Sequence, residues 1–141
     1  MTIAPPNKLR VVLDTNVYFS AFTHPQGPPF RIWRKAVNRS FTLLVSPAIL
    51  REIAGVLREV VHWRETDIVA HLKLVAKVAE IISPTINLRV IADDPTDDRI
   101  LECAVAGMAD LVVSGDRHLR KLKSYKSIGI VQPSDFLRTL A

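Results

Sequence analysis

The feature that most constrains this fold is a short run with no polar alternation, Val11-Val12-Leu13, ending on Asp14-Thr15-Asn16. A half-buried strand alternates apolar and polar residues. An unbroken β-branched run instead suits a strand covered on both faces, as in a parallel sheet. Leu111-Val112-Val113 repeats the arrangement and closes on Ser114-Gly115-Asp116. Strands of a parallel sheet end on one edge, where ligand chemistry gathers in open α/β folds, so Asp14 and Asp116 are expected to share an edge. Turn preference accounts for either acid alone. It accounts poorly for both. Gly115 is expected to permit a close backbone approach or a left-handed turn before Asp116.

The other segments fit the same class. Phe41 to Val45, Leu88 to Ile91 and Ile128 to Val131 read as further strands. Helical patterns cover residues 30–37, 46–61, 65–82 and 96–108, with a short basic helix after Asp116 and a C-terminal helix opened by Pro133-Ser134. Ser46-Pro47 is a strong helix start, with serine at the N-cap and proline at the first helical position. In that helix Ile49, Ile53, Val56, Leu57 and Val60 are expected to form the apolar stripe. Strands alternating with helices predict an α/β fold: a Rossmann-like three-layer sandwich with a mainly parallel central sheet. Residues 1–9, with two prolines and no periodicity, are expected to be a flexible lead-in, and residues 10–141 one domain.

Composition narrows the function classes. The chain has 141 residues, 48% of them hydrophobic, which argues against disorder. Cys103 is the single cysteine, so no intrachain disulfide forms. Its apolar helical setting predicts a small buried hydrophobe in a reduced, cytoplasmic chain. No signal-peptide pattern or membrane-length apolar run is present in this sequence. The net charge of +5 favours polyanionic partners.

Two helical acids join the pair at the strand ends. At about 100° per residue, Asp97 falls on the face defined by Ile100, Leu101, Ala104 and Met108, and Asp98 lies about 100° away. Acids are favoured in a first helical turn by the macrodipole, which accounts for the pair but not for one facing inward. Glu52 and Glu59 share a helical phase. Glu52 is closer to the end of the preceding strand, with Glu59 about 10 Å further along and expected at the rim. Asp14, Glu52, Asp97 and Asp116 would repel one another unless a cation neutralised them. An all-oxygen set suits Mg²⁺ or Mn²⁺, and the chemistry such a site supports is phosphodiester hydrolysis. His24, His62, His71 and His118 show no ligand spacing that would suggest zinc. Trp33 and Trp63 sit in apolar helical patterns, which suit a core or a dimer interface.

Four segments in order carry a resemblance: Leu13-Asp14-Thr15-Asn16-Val17; Ser46-Pro47 leading to Glu52; Asp94-Pro95-Thr96-Asp97-Asp98 before Ile100-Leu101-Glu102-Cys103-Ala104; and Leu111 to Leu119. The chain resembles PIN-domain ribonucleases, and among them the VapC-like toxins of type II toxin–antitoxin systems, from Arg10 to Leu140. The resemblance implies a metal-dependent endoribonuclease with Asp14, Glu52, Asp97 and Asp116 as catalytic and metal-binding acids. It also implies Thr15, Asn16 and Ser114 in support, an RNA substrate, an antitoxin protein and a homodimer, while Asp98, by its helical phase, is expected to assist Asp97. Relatives often carry a second aspartate two residues beyond the last acid; here that position is His118. Arg117, Arg120 and Lys121, directly after Asp116, are the expected phosphate contacts. Arg31, Arg34, Lys35 and Arg39 form a second basic cluster, read as a solvated face. Two other readings compete: a PIN-like module that binds RNA or a partner without efficient cleavage, and a Mg²⁺-binding receiver domain. The receiver would need paired acids after the first strand and a lysine at the last; Asp14 stands alone and Val131-Gln132-Pro133 offers no lysine.

Overall fold

A computed structural model describes residues 8–91 and 95–140. The unalternated runs form the middle of a six-stranded sheet. Strands β1 (Arg10–Leu13), β2 (Thr42–Val45), β3 (Glu80–Ile81), β4 (Leu111–Val113), β5 (Ser124–Tyr125) and β6 (Ile128–Val131) lie in the order β3-β2-β1-β4-β6-β5. Every pairing is parallel except that of β5 with β6. Val11, Val12, Leu44 and Val112 have no exposed surface, as expected for strands covered on both faces. Helices lie on both sides of the sheet, and the architecture is the α/β sandwich that the alternation predicts.

The helices are α1 (Thr15–Thr23), α2 (Pro28–Val37), α3 (Pro47–Glu59), α4 (Glu65–Val78), α5 (Pro95–Ala106), α6 (Arg117–Leu122) and α7 (Pro133–Leu140). Local chemistry sets their starts. Ser46 Oγ accepts from the Ile49 amide at 3.3 Å with Pro47 at the first position, and α2 likewise opens on a proline. In α3 the buried stripe is Ile49, Ile53 and Leu57; Val60 lies beyond the helix and is exposed. Phe22 of α1 meets Trp33 of α2 edge-on and stacks on Trp63, which lies outside the expected helical pattern, in the segment between α3 and α4. Trp33 is thus a core residue. Helix α5 packs across β1, β2 and β4.

Two expectations about strands need correction. Residues 88–91 form no strand, because their amides are taken by side chains of α5. Leu88 N donates to Glu102 Oε2 at 2.8 Å, and Val90 N and Ile91 N both donate to Asp98 Oδ1 at 2.9 Å. An amide bound to a carboxylate is lost to a ladder. The strand beside β2 is instead Glu80–Ile81, inside the span read as the end of the 65–82 helix. Its edge is held by Arg10, which reaches both carboxylate oxygens of Glu80, at 3.3 and 2.7 Å, and the Gly107 carbonyl at 2.9 Å.

Candidate active site

Register builds the site. Leu13 lies opposite Val113, so the next residues of the two central strands, Asp14 and Ser114, leave the sheet side by side. The Asp14 amide donates to the Val113 carbonyl at 2.9 Å and the Ser114 amide to that of Val131, also at 2.9 Å. Asp14 stands at the N-cap of α1 but makes no capping bond with its side chain. Its carboxylate turns to Ser114, whose hydroxyl donates to Oδ2 at 2.6 Å. The same hydroxyl accepts from the Asp116 amide at 2.9 Å. Asp116 in turn caps α6, its Oδ1 accepting from His118 N at 2.7 Å and Leu119 N at 3.3 Å. One serine thus joins two acids that the sequence separates by a hundred residues.

The electrostatics of this pair are unfavourable as they stand. Asp14 is only 5% exposed. Burial pushes its carboxyl above the ordinary carboxylate range; the Ser114 hydroxyl works against that shift, the Asp116 charge adds to it, and the nearby Thr15 and Asn16 amides oppose it more weakly. Thr15, buried beside it, has an Oγ1 with no hydrogen bond among the described residues. A carboxylate that is costly to ionise, a second one whose charge raises it further and an uncommitted hydroxyl are a donor set that fits a hard cation, since Mg²⁺ takes one or two carboxylates and keeps waters. The fit stops at the pair. Among the described residues no group of three or more His, Cys, Asp or Glu side chains is arranged to hold a metal ion.

The other two acids approach the same edge by topology. Helix α3 begins two residues after β2 ends, which puts Glu52 in its second turn, partly buried, while Glu59 is exposed. The end of α5 lies at the opposite edge, where Arg10 binds Gly107, so Asp97 in its first turn is directed to the edge bearing Asp14. Asp97 is 4% exposed, but so is Asp98, and Glu102 is 5% exposed. Asp98 and Glu102, one turn apart, face the 88–91 segment, and Glu102 also binds Arg99. Asp98 therefore acts as a tie between α5 and the segment before it. The half-buried pair Arg99–Glu102 is not singled out by the sequence; its signal is the i, i+3 spacing of opposite charges.

Around the pair, Asn16 lies exposed on the first turn of α1, and Arg117, Arg120 and Lys121 are exposed on α6. Gly115 has neither expected role: no glycine has a positive φ, and a Cβ there would meet nothing within 4 Å. Cys103 is fully buried, and burial pushes its thiol up to about 12, opposed by a hydrogen bond with Ser46. It is inert packing, as its setting predicts.

These observations define a mainly parallel α/β sandwich with two aspartates at the ends of its central strands, the carboxylate of one tied through Ser114 to the backbone of the other. The PIN-domain profile matches residues 10–118, and the chain belongs to the PIN-domain family. An uncharacterised protein of Methanocaldococcus jannaschii is 31% identical over 121 residues, spanning 82% of this chain and 76% of that one. The fold is similar to VapBC2 from Rickettsia felis bound to a DNA fragment from its promoter, at 17% identity and TM-score 0.63, covering 88% of this chain and 98% of that one. It is also similar to PAE2754 from Pyrobaculum aerophilum, at 18% identity and TM-score 0.62, covering 94% and 89%. DNA-bound VapBC from Salmonella typhimurium aligns at 18% identity and TM-score 0.59, covering 89% and 98%. At these identities the likeness is one of fold.

Proposed function

We propose that this PIN domain is a metal-dependent endoribonuclease and the toxin of a toxin–antitoxin pair. The observation that carries the reading is the Ser114-bridged pair of Asp14 and Asp116, in which a buried carboxylate is spent on neither capping nor an ion pair. Asp14 and Asp116 would hold Mg²⁺ or Mn²⁺, with Asp97 and Glu52 completing the acidic edge and Thr15, Asn16 and Ser114 orienting the first acid and its waters. When bound, the ion would lower the pKa of an attacking water and stabilise charge on the phosphate. The chain's own task is to fix the RNA phosphate beside the acids, through Arg117, Arg120 and Lys121. An antitoxin partner accompanies this reading, supported by the fold shared with two VapBC structures, and a homodimer and a cytoplasmic setting are proposed with it.

A second reading, a PIN-like RNA- or partner-binding module with weak catalysis, is favoured by the lack of a three-donor group among the described residues. Cleavage of labelled single-stranded RNA with Mn²⁺ separates the two. Asp14→Asn and Asp116→Asn are each expected to reduce it at least about a hundredfold, the scale lost with one essential electrostatic group. Undiminished cleavage in both variants overturns the site; no cleavage by the parent chain supports the second reading.

A further inference from the structure

The whole formal charge excess of the chain, +5, comes from one segment. Residues 15–51 hold five Lys or Arg and no Asp or Glu, while the rest of the chain carries equal numbers of both signs. Three of the five, Arg31, Arg34 and Lys35, sit on α2 and line a cleft of about 440 Å³ together with Asn38 and Leu137 of α7. None of the three takes part in an ion pair among the described residues. Asp135, the acid on α7, is already bound to Arg138. Leaving three cations around one concavity costs repulsion that a solvated face avoids by interleaving acids.

A second cleft, of about 220 Å³, adjoins the first and shares Arg34 and Asn38 with it; its other walls are Phe30, Trp33 and Val37. One cleft is cationic and the next is apolar with an amide at the join. That alternation matches a nucleotide, which presents an anionic phosphate and a flat base side by side. An acidic peptide would need the cations but not the apolar neighbour. The amide of Asn38 can pair with a base edge, and only an unpaired base can enter such a cleft. Helix α2 leads into the start of β2, whose first amide donates to Leu9 O, so its last turn lies at the sheet edge opposite Asp14.

We propose that these joined clefts on α2 form a second binding surface for single-stranded RNA, with Arg31, Arg34 and Lys35 holding backbone phosphates and the Phe30–Val37 cleft holding a base. Its choice of RNA rests on the nuclease reading above; its geometry does not. The test is binding of fluorescein-labelled single-stranded RNA to the parent chain in EDTA, by anisotropy across a salt series. Arg31→Gln with Arg34→Gln is expected to weaken binding about tenfold and to lower the salt slope by about 1.4, the value for two phosphate contacts on a single strand. Lys73→Gln with Lys77→Gln, which removes the same charge from exposed positions on α4, is expected to change neither by as much. Val37→Asp places an acid in the apolar cleft and is expected to weaken binding as well. Equal affinity and slope in both charge-removal variants overturn the proposal. So does a poly-glutamate peptide that binds more tightly than RNA and is lost with Arg31 and Arg34, which assigns the surface to a protein partner. RNA bound in EDTA but never cleaved with Mn²⁺ sinks the nuclease reading and leaves this surface standing; cleavage by the parent chain with unaltered binding in the double variant does the reverse.

Discussion

Ser114 donates to Asp14 Oδ2 at 2.6 Å while accepting from the amide of Asp116, so one hydroxyl sets both the charge and the position of the acidic pair. Ser114→Ala removes the bond that opposes the burial-driven rise of the Asp14 carboxyl. The acid limb of the pH–rate profile is expected to move towards neutral pH and the plateau rate to fall. Because the Asp116 amide also loses its acceptor, stability should drop by about 1–3 kcal/mol in urea unfolding. An unshifted acid limb would show that Ser114 only packs.

Asp14 is kept at a cost to the fold. A carboxyl raised above its ordinary value in the folded state contributes stability that is fully present below that ordinary value and lost as pH rises through the folded one. At neutral pH the group is therefore a liability. Asp14→Asn is expected to raise the melting temperature in EDTA while abolishing cleavage. Mn²⁺ should then stabilise the parent chain and not the variant, since ligand stabilisation requires the site. A variant that melts lower in EDTA contradicts this account.

Adjacent acids on α5 are expected to behave in opposite ways. Asp98 Oδ1 satisfies two amides of the preceding segment, so Asp98→Ala should cost about 2–4 kcal/mol by leaving both without an acceptor. Asp98→Asn keeps an oxygen there and should recover most of that loss. Asp97→Asn, by contrast, is read in the rate and should lower cleavage. The comparison needs only denaturation and rate measurements on three proteins.

Gly107, at the end of α5, has no room for a side chain: an added Cβ would lie 2.9 Å from Leu44 Cδ1 and 3.0 Å from the Cys103 carbonyl. Gly107→Ala is expected to destabilise by about 1–3 kcal/mol through overpacking. A stabilised variant would mean that α5 can shift from the sheet freely.

Much of this was legible in the sequence because parallel strands buried on both faces leave so plain a trace. Val11-Val12-Leu13 and Leu111-Val112-Val113 locate the central strands, and the edge shared by Asp14 and Asp116 follows from their direction. Leu88 to Ile91 misled because its apolar character is that of a strand, while the fate of its amides is decided by Asp98 and Glu102, which a helical wheel does not connect to it. β3 escaped notice since two residues carry no periodicity. Phase alone could not rank the buried acids of α5, as all three are covered: one face by the sheet, the other by the segment they tie down.

The bond between Ser114 and Asp14 also fixes when the site comes into being. Its two halves stand a hundred residues apart, and the chain between them includes α5, which packs across β1 and β4. A chain still on the ribosome, with β4 not yet released, carries Asp14 without the serine that sets it or the acid that pairs with it. The acidic edge is therefore a property of the assembled sheet and of no single segment: neither strand carries it until the other lies alongside.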